Sequence, residues 1–247
     1  MNSKITAFLL AAIVATVFAG ALANAQVTPA GLEASERDKI GFTDEFFIED
    51  CDFSTTGSNR FFILEPGYRS VLTGENDEGA EVELIITVLD KTKKVDGVMT
   101  RVVEERESED GELIEVSRNY FAFCEQTSSV FYFGEAVDFY ENGKIVDHHG
   151  SWIAGKNGAK AGLFMPGIVL LNSKYMEETA PGVAMDRGRV VSMDEEIKTP
   201  AGKFNHVLKI WETTPLEPGV NEFKFWAADI GLVQDGDLRL KEHGFKK

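Results

Sequence analysis

From residue 61 onward the chain is a succession of short apolar runs, each closed by turn-forming residues, and few folds accept that pattern. The clearest run places Val82, Leu84, Ile86 and Val88 on one parity and Glu81, Glu83, Thr87 and Leu89 on the other. Period two marks a strand with one face buried. Phe61-Phe62-Ile63-Leu64 stops at Pro66-Gly67, and 68–73 runs into the polar stretch 74–79. Val95-Asp96-Gly97 turns the chain into 98–106, whose Arg101, Glu104 and Glu105 predict a partly wet strand. Asp110-Gly111 and Asn142-Gly143 are hairpin signals, because both residues of a type I′ turn need positive φ.

Residues 113–124 and 130–140 are the most aromatic runs. In the second, Phe131 and Phe133 lie opposite Tyr132, which predicts a central strand covered on both faces. After 145–152 the pattern breaks: Gly155, Gly158, Gly162, Pro166 and Gly167 predict a long irregular connection carrying Phe164 and Met165. The strand habit resumes at 189–199, 204–213, 220–228 and 230–240. Only 32–40 and 172–179 look helical. Strands joined by short turns, without helical crossovers, predict a mainly β fold: an antiparallel meander curled into a barrel, half-barrel or sandwich, with few short helices.

Ahead of this region lie two segments of different character. Lys4, the apolar run 5–22 and Ala23-Asn24-Ala25 have the order of a signal peptide over 1–25, which predicts an exported protein, periplasmic or extracellular, with no membrane span after cleavage. An uncleaved membrane helix is the competing reading. Residues 26–60 lack periodicity and read as an N-terminal arm, with Phe46, Phe47 and Ile48 as an edge strand or a plug; 61–247 reads as a single β domain. The formal charge is −16, and losing Lys4 makes it more negative. Such a surface repels phosphate backbones and anionic lipid, which excludes nucleic acid as a partner class. Cys51 and Cys124 are the only cysteines, and in an oxidising compartment they form one disulfide or stay as two free thiols. Closing the long loop between them would remove roughly 4 kcal/mol of unfolded-state entropy.

Chemistry is thinly signalled. Asp147-His148-His149 is the best cluster, but adjacent residues of an extended strand face opposite ways, so at most one histidine can join His206 at a shared metal; the bland reading is a solvated turn. Glu135, between Phe133 and Val137, would have a raised pKa if it faced inward. Segments 76–79 and 107–112 do not fit the EF-hand pattern. Ser151 lacks the nucleophile elbow, and Gly155-Lys156-Asn157-Gly158 has the wrong spacing for a phosphate or dinucleotide loop. No cofactor is implied. What remains is aromatic area, which either fills a core or lines a curved face that encloses a small apolar or neutral ligand. Tyr132, Glu135, Trp152, Phe164 and Met165 are the candidate ligand-binding residues, with the Gly/Pro connection as a lid.

Several stretches resemble a family of exported, largely uncharacterised prokaryotic β-rich proteins: Phe61-Phe62-Ile63-Leu64-Glu65-Pro66-Gly67-Tyr68, Thr100-Arg101-Val102-Val103-Glu104, Tyr132-Phe133-Gly134-Glu135, Tyr140-Glu141-Asn142-Gly143, Gly150-Ser151-Trp152 through Met165-Pro166, and Pro215-Leu216-Glu217-Pro218-Gly219. That resemblance implies export and a β fold, and it carries over no catalytic residue. The segment Phe225-Trp226-Ala227-Ala228-Asp229-Ile230-Gly231-Leu232-Val233 is similar to a terminal strand of LolA-like half-barrels, with Ala228-Asp229 where Pro-Gly is expected. His148-His149 and Cys124 depart from both patterns. The expectation is a non-enzymatic exported binding protein. The alternatives are an enzyme (a lyase, isomerase or metal-assisted hydrolase) using His148 or His149 with a carboxylate, and an envelope interaction module. The sequence leaves the oligomeric state open.

Overall fold

A computed structural model describes residues 41–245; the expected signal peptide (1–25) and the helix at 32–40 lie outside the described residues. The arm supplies a 3-10 turn, Ile48–Asp50, the only helical element among the described residues, and a short strand β1 (Phe53–Ser54). An antiparallel meander follows: β2 (Tyr68–Glu75), β3 (Glu81–Val95), β4 (Val98–Glu109), β5 (Glu112–Cys124) and β6 (Ser129–Glu141). The hairpin turns have the expected chemistry, with φ of 51° at Asn142 and 72° at Gly143. Beside β6 lie β7 (Lys144–Asp147), β8 (Trp152–Ile153) and β9 (Lys160–Met165).

Next come β10 (Lys174–Met176), β11 (Glu178–Thr179), β12 (Arg187–Thr199), β13 (Gly202–Thr213), β14 (Glu222–Ala227), β15 (Gly231–Asp235) and β16 (Leu238–Phe245), and β16 pairs back onto β2. β10 pairs with β12 while β11 pairs with β9, and only Glu177 separates them. One stretch of chain therefore bridges the two ends of the strand order, and the sheet is nearly closed into a barrel.

Four local expectations are corrected. Residues 61–64 are not a strand: Asn59 Oδ1 accepts the amides of Phe61 and Phe62, both at 2.9 Å, and the segment folds inward to bury Phe61 and Leu64. The Gly-rich stretch after Trp152 is not an irregular lid, because Lys160–Met165 is built into the sheet as β9. The helical reading of 172–179 fails, since β10 and β11 occupy it. The run 230–240 is two strands, turned at Gly236. The arm, in turn, covers the barrel. Phe46 and Phe53 pack edge-on against Phe131, and Phe53 also against Phe133, on the side of β6 opposite Tyr132. That is the doubly covered strand the alternation predicts. Cys51 and Cys124 form a disulfide across a separation of 73 residues and pin the arm to β5.

Register defines the inner face. Leu240, Leu72, Leu84, Glu107 and Glu115 follow one another across β16, β2, β3, β4 and β5; Ser70, Ile86, Glu105 and Ser117 form the next row; Val103, Asn119 and Glu135 form the third. Facing residues of paired strands share a side, so aliphatic β2 and β3 give way to carboxylates on β4, β5 and β6. On the other wall, Ile210, Lys224 and Asp235 form one row and Leu208, Trp226 and Leu232 another.

Candidate functional site: a two-halved barrel interior

One half of the interior is aromatic. Phe62 enters from the arm and meets Phe121 at 5.4 Å, Phe164 at 5.5 Å and Trp226 at 6.1 Å between ring centres. Phe121 stacks on Tyr132 at 4.8 Å, and Tyr132 meets Trp152 edge-on at 5.1 Å and Phe164 at 5.9 Å. Such pairs add specificity beyond buried area. Among these rings lies a cavity of about 50 Å³, lined by Phe62, Tyr68, Phe121, Phe164 and Trp226, with Ser70 and Glu105 at its polar end. It has room for a few waters or a short apolar segment.

The other half is acidic. Glu105, Glu107, Glu115, Glu135, Glu177, Glu178, Glu212 and Asp235 are all buried, and Lys224 is 1% exposed among them. Asp186 and Glu222, each partly exposed, mark where the cluster meets solvent. Burial opposes the Lys224 ammonium, but Glu212, Asp235 and Glu222 outweigh it and hold its pKa well above the ordinary value. Its Nζ donates to Glu212 Oε2. One ammonium cannot balance so many carboxylates, and several of them are pushed toward the protonated form. Burial first, then Glu107 and Glu135, pushes Glu115 up to about 9. Burial lifts Glu135 to about 8, against the neighbouring Ser117 hydroxyl and with the repulsion of Asp186. Asp186 rises to about 7 and Glu222 to about 9, both chiefly through burial. Glu105, Glu177 and Glu178 are raised well above the carboxylate range for the same reason.

Several buried polar atoms have no hydrogen-bond partner: both carboxylate oxygens of Glu135, Glu115 Oε2, Asp235 Oδ1, Tyr175 Oη, Trp152 Nε1 and Trp226 Nε1. The Ser117 and Tyr132 hydroxyls adjoin the Glu135 carboxyl, but Tyr132 donates to Asn119 Oδ1 at 2.5 Å and neither approach to Glu135 has hydrogen-bond geometry. Gly188 is needed opposite Tyr175, because a Cβ there would lie 2.8 Å from Glu177 Oε1 and 2.9 Å from the Tyr175 ring.

The chain matches no protein-family model and no curated protein. Among solved structures it is similar to a Bacteroides fragilis protein described as exported with a YmcC-like fold, at 12% identity and a TM-score of 0.39, over 76% of this chain and 100% of that one.

Of the residues singled out in the sequence, Tyr132, Trp152 and Phe164 meet in the aromatic half, and Glu135, which stands opposite Trp152 in the β6–β8 register, lies at its border with the acidic half. Met165 is buried opposite Val130 in the β6–β9 register. The histidines are not brought together. His148 Nδ1 lies 2.9 Å from Asp138 Oδ1, His149 stacks on Phe139 at 4.1 Å with its Nδ1 2.8 Å from Asp147, and His206 bonds Asp194 at 2.6 Å on another strand. All three are exposed. Among the described residues, no group of three or more His, Cys, Asp or Glu is arranged to hold a metal ion.

Sequence reasoning missed the acidic half. Arg101 and Glu105, expected to keep β4 wet, are buried; Arg101 reaches Thr55 O at 2.9 Å and Asp90 at 3.2 Å. A signal was present: Glu105 and Glu107 continue the parity of Val103, Glu212 that of Leu208 and Ile210, and Asp235 that of Val233. Carboxylates on the apolar parity of several strands mark an acidic interior.

Proposed function

We propose that the protein is an exported, non-enzymatic binding protein whose barrel holds a small ligand with an apolar body in the aromatic half of the interior. One observation carries this reading: the cavity ringed by Phe62, Phe121, Phe164 and Trp226 ends on polar groups, and the Trp226 indole N–H at its wall is buried without a partner. An unmade buried hydrogen bond costs about 1–3 kcal/mol. A barrel shaped for stability alone would pair it or replace it with carbon. Tyr132, Glu135, Trp152, Phe164 and Met165 are the proposed ligand-binding residues, with Phe164 in the cavity wall, Trp152 behind it against Tyr132, and Glu135 at the polar border. The cavity's size suits a short chain or a ring edge, so a larger ligand needs Phe62 to move with the arm. Export is supported by the signal-like leader and by the Cys51–Cys124 disulfide, which belongs to an oxidising compartment.

The enzyme reading has less support, since His148 and His149 sit on the outside of the barrel, with Asp138 and Asp147 as partners. Native mass spectrometry of the protein exported by its own host tests the binding reading. A retained small-molecule mass that falls in Trp152→Phe, with the melting temperature nearly kept, is the expected result. Retention of nothing but a protein partner would instead favour an interaction module.

A further inference from the structure

We propose that the ligand carries an ammonium group, and that this group seats between Glu105 and Glu135 while its apolar body fills the aromatic cavity. The inference rests on the binding reading above and names the chemistry of the ligand's polar end. Glu105 lines the cavity, and its carboxyl feels the repulsion of Glu135. Neither oxygen of Glu135 has a hydrogen-bond partner, although the residue is only 1% exposed.

The chain already shows what this interior accepts. On the β13–β15 wall the Lys224 ammonium is held by Glu212 and flanked by Asp235 and Glu222. The β4–β6 wall repeats the carboxylates, and the Lys224 ammonium acts on Glu135 and Glu105 from β14. A second, independent sign is Tyr175. Its hydroxyl is buried without a partner beside Glu177 and Glu212, so a neutral oxygen acceptor also faces the acidic half. The Trp226 ring lines the cavity, and a desolvated cation is attracted to the face of such a ring.

Proton linkage follows from the groups that face Glu135. Glu105 approaches from β4 and Glu115 from β5, with Glu107 of β4 beside Glu115; Tyr132 lies on β6 itself. Glu178 from β11, Asp186 from the segment before β12 and Lys224 from β14 complete the set. With Glu135 near 8 and Glu115 near 9, an entering ammonium displaces a proton instead of finding a ready carboxylate. Binding of a cation therefore tightens as pH rises and releases acid.

The probes are n-butylamine and 1-butanol, equal in apolar body and different in charge, followed on the wild-type exported protein through the indole N–H resonances of its three tryptophans. Trp211, bonded to Asn221 at 3.1 Å on the outer face, is the internal control. Butylamine should shift the Trp226 resonance and leave Trp211 in place, and its affinity should rise about tenfold per pH unit between pH 6 and 8 if one proton leaves. Butanol should shift the same resonance with no pH dependence. Glu135→Gln should flatten the butylamine profile. Proton release on mixing butylamine with the wild-type protein, read by calorimetry in two buffers, gives the same answer without any variant. If amine and alcohol bind alike, or no proton is released, the ammonium seat is wrong and the apolar-binding reading survives. If neither perturbs Trp226, both fail.

Discussion

Lys224 is the residue on which the acidic half turns. Its ammonium is buried, donates to Glu212 and draws on Asp235 and Glu222, so removing it leaves buried charge without compensation. Breaking such a pair costs about 3–5 kcal/mol. Lys224→Met should lower the unfolding free energy obtained from urea titration at pH 7.5 by an amount in that range, and by much less at pH 5, where the carboxylates hold protons instead. An equal loss at both pH values would mean that the lysine acts through packing alone. The importance of Lys224 was not legible in the sequence. A lone lysine two positions before Trp226 reads as a solvated edge, and only the pairing of β14 between β13 and β15 turns it inward. Glu135 was legible only in part: its flanking Phe133 and Val137 offered an inward carboxylate with a raised pKa as the alternative to a water-facing one. Glu105, Glu107 and Glu212 lay in between: their parity matched apolar neighbours, but a carboxylate at one strand position carries no mark of its face.

Among the elements, the arm is held to the barrel at scattered points instead of along a continuous ladder. Its ring contacts run through Phe46, Phe53 and Phe62, its backbone pairs with β5 at Phe53 and Ser54, and the disulfide ties Cys51 to the end of the same strand. A loop of 73 residues closed in the unfolded state is worth about 4 kcal/mol in the chain-entropy model. Cys51→Ser with Cys124→Ser should lower stability by about that much and raise amide exchange across 50–64 before the barrel opens. Uniform loss of protection over all strands would show that arm and barrel unfold as one. The strands of the meander were readable because their turns carry Asp-Gly or Asn-Gly and their faces alternate. The bridge formed by β10 and β11 was not. Its few residues pair with β12 on one side and β9 on the other, and so short a segment has no period of its own. The apolar run at 61–64 misled for a related reason: Phe61 and Leu64 are buried as in a strand, but by an irregular segment that folds inward.

The whole molecule should be most stable on the acid side of neutrality. Glu135, Glu115, Asp186 and Glu222 have folded-state pKa values raised above their unfolded ones, so the native state binds more protons between about pH 5 and 9. Their contribution is therefore full below the unfolded value and is lost as pH rises through the folded values of 7 to 9, at about 1.4 kcal/mol per pH unit for each group that must take up a proton to fold. Thermal unfolding followed by circular dichroism should give a higher melting temperature at pH 5 than at pH 8.5. The reverse order would show that the interior carboxylates are ionised and paired. The formal charge of −16 acts in the same direction through general repulsion, and added salt separates the two because it screens the surface and leaves the interior largely untouched. Alternation and turn chemistry, which are local, determined by themselves that this chain is an antiparallel β protein, and the residue count and compartment allowed its one disulfide. Which parity faces inward, where the sheet closes and what the closed space contains were decided only in three dimensions. Burial is a property of the completed barrel: each strand presents two candidate faces, and only pairing with its neighbours determines which one leaves water.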